Sequence, residues 1–399
     1  MEMTVHLCHS RGRMAPDTST RKPPINWPTV LFIAATTLAA LLWPLYAWFA
    51  GVTTGQIVFA IAYYLATGLG ITVGYHRLIA HQTFKAHPVA EAVLVVLGGA
   101  AWQGSALEWT LDHIQHHLHV DTDADPYNRR RGFWYAHIGW LIRRETLDHR
   151  RRIPPFLRND RVVMLQHRYY VPLSVVTSLL IPFLLEGWGG LLLVGAVRIV
   201  ALHHTTWFIN SWAHTGTKRP YNPEVSAADN WLLALVAFGE GWHNYHHAFP
   251  SDYRNGVGAL AWDPSKWLIW SLSKIGAAHD LKRMNPAVVW QRRVEATLAY
   301  RGPQRTRENL VDATRRALEK LARRSEARLA ALSAATAGPR AAGAADLAEL
   351  RRRISERADE WRRSRDRRAL ARARRIEDLI EQLTLYRDLL TRISSASAC

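Results

Sequence analysis

Eight histidines of this 399-residue chain fall into three short clusters. His76 and His81 stand in "HRLIAH", His113, His116 and His117 in "HIQHH", and His243, His246 and His247 in "HNYHH". In a helix, residues at i, i+3 and i+4 share one face, so HxxHH aims three imidazoles at a common point. A single triplet would read equally well as a solvated His-rich loop; three clusters, two of them with the same spacing, call for a joint explanation. Neutral imidazole suits iron, copper, zinc and nickel. Eight donors exceed the four that close a structural zinc site, so two metals are the economical reading. Soluble di-iron bundles rely on Glu ligands and Glu-x-x-His pairs, a pattern these clusters lack. Asp112, Glu145 and Glu240 are candidates for orienting ligand rings rather than for binding metal.

The elements that must carry these clusters are apolar. Residues 28–50 and 56–73 are uncharged and long enough to form a membrane-crossing hairpin; a second pair begins at Val171 and Gly190, the latter with Arg198 inside it. A fifth apolar stretch, residues 88–107, decides the topology. If it crossed the membrane, His76 and His81 would be parted from the other clusters. It is therefore expected to be a helix buried against the membrane face, with all three clusters on one side. The basic stretches "NRRRG" and "RRETLDHRRR" fall on that side, which the positive-inside rule makes cytoplasmic, together with both termini.

Composition narrows the partners. A formal net charge of +18 suits nucleic acid, an anionic membrane surface or an acidic protein. The two cysteines, Cys8 and Cys399, provide neither a disulfide framework nor a thiolate metal site, and point to a reducing compartment. The basic first twenty-odd residues have no apolar core and do not read as a cleaved signal peptide.

An all-imidazole di-metal site at a membrane suits oxidative attack on a lipid chain, because cleaving an alkyl C–H bond is cofactor chemistry. The three boxes, with "GITVGYHRLIAHQTF", "DTDADPYN", "NSWAH" and "GEGWHNYHHAFPSDYR" around them, resemble the integral-membrane acyl-CoA desaturases of the stearoyl-CoA, delta-9 type from about Gly68 to Trp270. The resemblance implies two iron ions held by His76, His81, His113, His116, His117, His243, His246 and His247, with His214 of "NSWAH" as a ninth ligand and Asn210 acting through water. It further implies that Gln103, Trp109, Thr206 and Trp207 shape a kinked acyl tunnel. His119, His203 and His204 match no ligand position, and Arg198 is expected to face the protein interior or a polar cavity. One departure stands out. Leu111 occupies the place of an Arg near the CoA headgroup in animal members, which weakens CoA as carrier and keeps acyl carrier protein or a phospholipid open, although Arg129, Arg130, Arg131, Arg143 and Arg144 remain to meet phosphates.

From about Arg301 the composition turns to Arg, Ala, Glu and Leu. Residues 341–393 read as long helix, with Leu379, Leu383, Tyr386, Leu390 and Ile393 as a short coiled-coil seam. Three readings compete for this tail: a solvated charged helix, an oligomerisation helix, or a basic surface for an acidic electron donor or anionic lipid. Its lack of histidine argues against a fused cytochrome b5, its single cysteine against an iron–sulfur module, and the scarcity of aromatics among its arginines against nucleic acid.

The expectation is thus an all-α membrane protein: a basic tail (1–27), a desaturase domain (28–300) of four transmembrane helices under a cytosolic helical cap holding the di-iron site, and a charged helical extension (301–399). The expected reaction places a cis double bond, at position nine by family default, in a saturated fatty acyl-CoA or other acyl carrier. It uses dioxygen and two electrons from an external protein such as cytochrome b5 or a ferredoxin or flavoprotein reductase. A membrane di-iron hydroxylase of fatty acids or alkanes is the alternative.

Overall fold

The computed structural model describes residues 24–143, 153–258, 260–300, 304–337 and 367–395, together with Arg352 and Glu356. Helix α1 (Trp27–Ala50) is capped by the Asn26 side chain, and α2 (Thr54–Ala80) starts at a Thr53/Gln56 capping box. From Gly70 onward α2 widens into i→i+5 turns. Helix α3 is Pro88–Gly99 and α4 is Ala106–His119, followed by α5 (Arg161–Arg168) and the long α6 (Tyr170–Ser211). The remainder comprises α7 (Trp231–Val236), α8 (His243–Ala248), α9 (Pro264–Lys274), α10 (Pro286–Leu298), α11 (Gln304–Ala337) and α12 (Arg367–Ser395). A two-residue antiparallel pair, β1 (Lys85–Ala86) with β2 (Ala278–His279), ties the end of α2 to the segment after α9.

Helices α1, α2 and α6 are long and apolar enough to cross a membrane. At 42 residues α6 would extend about 63 Å, roughly twice a bilayer core. It is broken at Glu186 (φ −134°, ψ 15°) and Gly187 (φ 60°, ψ −148°), the latter a backbone conformation that favours glycine. The two limbs fold back on each other there, at the end of the apolar stretch that begins at Val171. The protein thus presents four apolar helical limbs.

The expected single helix over residues 88–107 is two helices. Helix α3 ends at Gly99, and at 12 residues it reaches about 18 Å, too short to cross. The chain then turns through Trp102, a left-handed residue at φ 56°, and Ser105 caps α4 in a box with Glu108. The core joins Ile71, Val73, Tyr75 and Leu78 of α2 to Leu94 and Val95 of α3, Leu107 of α4, Leu202 of α6 and Phe238. Leu111 packs on its margin.

Arg198 is buried, as expected of an intramembrane cation. Its guanidinium donates to the Val194 carbonyl, Thr67 Oγ1 and the Ala100 carbonyl at 2.7, 3.1 and 3.0 Å and lies 4.9 Å from the Tyr63 ring.

In the tail α11 and α12 pack on each other and on α10, with a core separate from that around α2. Here the expected seam needs correction. Leu383, Tyr386 and Ile393 are buried as anticipated, but Ile376, Ile380 and Leu389 complete the stripe, and Leu379 and Leu390 flank it. The seam faces the chain's own Leu318, Ala322 and Leu329.

Candidate metal centre

Helix geometry explains how each box presents its rings. His76 and His81 are five residues apart, which in an α-helix would place them about 140° apart around the axis. In the widened end of α2 the His81 amide instead donates to the His76 carbonyl at 3.0 Å, bringing both rings to one side. Helix α4 presents His113, His116 and His117, and the six-residue α8 presents His243, His246 and His247. His214 follows the end of α6.

All nine converge in two groups. The ring nitrogens of His76, His81, His113, His117 and His246 lie within 4.8 Å of one another, as do those of His116, His214, His243 and His247. Box membership does not predict group membership: His116 parts from His113 and His117, and His246 from His243 and His247.

Neighbouring carboxylates fix the rings. Glu240 accepts from His76 Nδ1 at 3.0 Å and Asp125 from His116 Nδ1 at 2.9 Å. Ser226 gives its hydroxyl proton to Asp121, so its oxygen accepts from His214 Nδ1 at 2.6 Å. With Nδ1 carrying the proton, the Nε2 lone pairs point inward. There they meet other Nε2 atoms: His76–His246 at 3.1 Å, His246–His117 at 2.9 Å, His116–His247 at 3.3 Å, His247–His243 at 3.1 Å and His243–His214 at 3.0 Å. One proton on an imidazole nitrogen serves one neighbour, so these chains of nitrogens cannot all be hydrogen bonds. A cation between them satisfies every lone pair. The spacing agrees, since two nitrogens about 2.1 Å from one ion and at right angles are about 3.0 Å apart. The donor set therefore fits two metal ions.

Electrostatics keep the rings ready. Burial, reinforced by neighbouring imidazoles, holds His113, His117, His246 and His247 well below the ordinary 6.5, and His243 is pushed down to about 3 by burial and then by His116. They are neutral at physiological pH, the form that binds metal. Burial would raise Glu240, but His76 and Arg77 outweigh it and lower its pKa to about 2. Arg77 donates to Glu240 at 2.8 Å and pairs with Asp263 at 3.0 Å, all three buried, linking α2 to the third box.

A cavity of about 390 Å³ adjoins both groups. His76, His113, His116 and His243 line it, and so do Gln103, Trp109, Thr206, Trp207 and Asn210, the residues singled out beyond the histidines. Gln103 donates to Thr206 Oγ1 at 2.9 Å, and the Trp109 ring stacks on His113 with centroids 4.9 Å apart. Phe238 enters the wall because Gly68 opposite has no side chain; a Cβ there would stand 2.2 Å from the ring.

Of the acidic candidates, Glu240 orients a ring as anticipated, Asp112 is buried and lines the cavity, and Glu145 lies outside the described residues. Asp125, Asp121 and Ser226 were missed; the run "DTDADP" directly after the second box was the available signal for the first two. His119 is exposed, His203 meets the carbonyls of Ala101 and Trp102 at 3.0 Å, and His204 pairs with His137 at 3.0 Å, outside both groups. Of the expected phosphate-facing arginines, Arg131 lies over the Tyr135 ring at 3.9 Å, and Arg144 lies outside the described residues.

A family model described as fatty acid desaturase matches residues 54–263. The protein named "Probable acyl-CoA desaturase" of Schizosaccharomyces pombe is 44% identical over 238 residues, which is 57% of this chain and 49% of that protein. The acyl-CoA Delta-9 desaturase of Acheta domesticus is 37% identical over 285 residues, 68% of this chain and 79% of its own. The sn-1 stearoyl-lipid 9-desaturase of Anabaena variabilis is 36% identical over 264 residues, 65% of this chain and 95% of its own. The match spans about half the length of the fungal relatives.

Proposed function

The chain belongs to the fatty acid desaturase family, and from that premise we propose that it introduces a cis double bond at position nine of a saturated fatty acyl-CoA. The observation that carries this reading is the cavity, whose apolar wall runs to the edge of both histidine groups. In balance, RCH₂CH₂R′ and dioxygen, with two electrons and two protons, become RCH=CHR′ and two waters.

His76, His81, His113, His117 and His246 would hold one iron, and His116, His214, His243 and His247 the other, with Asn210 beside them. Iron bound there supplies the oxygen activation that C–H cleavage needs. The chain supplies position. Glu240, Asp125 and Ser226 hold the rings in the ligating tautomer. The Gln103–Thr206 bond fixes one wall of the cavity, and Trp109 and Trp207 form flat apolar walls against which a methylene pair rests beside the histidines. This apolar lining excludes water from the reacting carbons.

The four apolar limbs are read as crossings, with the histidines and both termini on the cytoplasmic side. Residues 28–300 form the desaturase unit and residues 301–399 an appended extension. Electrons come from a separate protein of the cytochrome b5, ferredoxin or flavoprotein reductase type. The Anabaena variabilis protein is named for a lipid-bound stearoyl chain, so the carrier is tested directly. Expression in a cell lacking its own desaturase, with fatty acids analysed by carrier class, should show a position-nine alkene first in the acyl-CoA pool. A first appearance in glycerolipids would reassign the carrier, and an alcohol would replace desaturation by hydroxylation.

A further inference from the structure

Three contacts give the depth of the cap along α2. Tyr64 donates its hydroxyl to the Val236 carbonyl at 3.4 Å, the Phe238 ring lies against Gly68, and Thr72 Oγ1 meets Ser265 Oγ at 2.7 Å. Tyr64 and Thr72 are separated by eight residues of helix, about 12 Å. The end of α7 therefore lies nearer the Thr54 end of α2 than the start of α9 does. That level of α2 is apolar, and its outward residues Val58, Ile61 and Leu65 are exposed.

The outward faces of α7 and α9 differ in step with this depth. On α7 the exposed residues are Trp231, Leu232, Leu235 and Val236, with no charged side chain among them and the one indole at the start of the helix. On α9 the outward stripe is Trp267, Trp270, Ser271 and Lys274, spaced i, i+3, i+4 and i+7, with Lys274 Nζ 5.0 Å from the Trp270 ring. An uncharged face made mostly of Leu and Val suits acyl chains, whereas indoles paired with an ammonium suit the headgroup boundary. At 6 and 11 residues neither helix can cross a bilayer.

We propose that α7 and α9 are immersed in the lipid leaflet on the histidine side, α7 among the acyl chains and α9 at the headgroup boundary. The cap then does not stand clear of the membrane, and the third histidine box follows directly from a segment held in lipid.

The test uses the full chain with Cys8 and Cys399 replaced by Ser, reconstituted in phosphatidylcholine nanodiscs. Single variants Leu235→Cys, Trp270→Cys and Asp123→Cys carry an environment-sensitive fluorophore, Asp123 being an exposed cap position beyond α4. Lipids brominated in mid-chain should quench the label at 235 several-fold, lipids brominated near the glycerol should quench the label at 270 more strongly, and neither should affect 123. Labels at 235 and 270 that behave like 123 would overturn the proposal. Ile275→Cys, on an exposed residue beside α9, repeats the comparison should Trp270→Cys misfold. Because no turnover is measured, the outcome is independent of the desaturase reading.

Discussion

His76 and His246, 170 residues apart in sequence, bring their Nε2 atoms to 3.1 Å of each other while Glu240 holds His76 from behind. Neither nitrogen has a proton to spare for every neighbour it faces, and an ion between them would satisfy both lone pairs; the same holds for the His243–His247 contact of the other group. Wild-type protein should carry two metal equivalents per chain. His246→Ala should lose the ion of the five-histidine group and His243→Ala that of the four-histidine group, each halving metal content by elemental analysis and abolishing desaturation. Full metal content in either variant would refute the division.

Glu240→Gln removes the carboxylate shared by His76 and Arg77 and leaves the buried guanidinium with Asp263 as its one remaining carboxylate partner, beside the Tyr253 carbonyl. Breaking a buried ion pair from one side costs about 3 kcal/mol. A lowered midpoint in detergent thermal unfolding is expected, along with weaker retention of metal against a chelator. An unchanged midpoint would remove Glu240 from the scaffold.

The Gln103–Thr206 bond of 2.9 Å joins the turn after α3 to the second limb of α6 across the cavity wall. Thr206→Val keeps the volume and removes the acceptor. The expected result is a several-fold lower rate and a mixture of double-bond positions, read by mass spectrometry of derivatised products. A single unchanged position would show that the bond does not set the register.

Acid sensitivity has an identifiable contributor outside the histidine groups. Asp252 accepts from Arg254 at 2.9 and 2.7 Å, from the Tyr245 hydroxyl at 2.8 Å and from the Met284 amide at 2.9 Å. Burial raises its pKa, but these donors prevail and hold the carboxyl below its ordinary 3.8. A depressed folded pKa stabilises above the unfolded value and loses that effect as the pH falls through the folded one. The contribution of Asp252 should be present above the unfolded value, near pH 4, and decline below it until the pH has passed the lower folded value. Asp252→Asn should lower the melting temperature at pH 7 and flatten its fall in acid; parallel profiles would contradict this.

The chemistry was more legible than the wiring. Spacing alone marked eight histidines and called for two ions, and the requirement that the clusters meet on one side placed residues 88–107 outside the set of crossings. Sorting His116 away from His113 and His117 depended on how three separate helices cross, which no local pattern records. The tail shows the same limit: Leu383, Tyr386 and Ile393 follow from periodicity, but Ile376, Ile380 and Leu389 were selected by the partner helix Gln304–Ala337. Ser226 gave no local cue, since its role exists only where Asp121 and His214 meet.

The widened turns at the end of α2 make that stretch a matter of length as much as composition. Adding or deleting one residue between His76 and His81 would swing the second ring by about 100°. The number of residues from Arg77 to Ala80 is therefore fixed over evolutionary time, and insertions and deletions among them are closed.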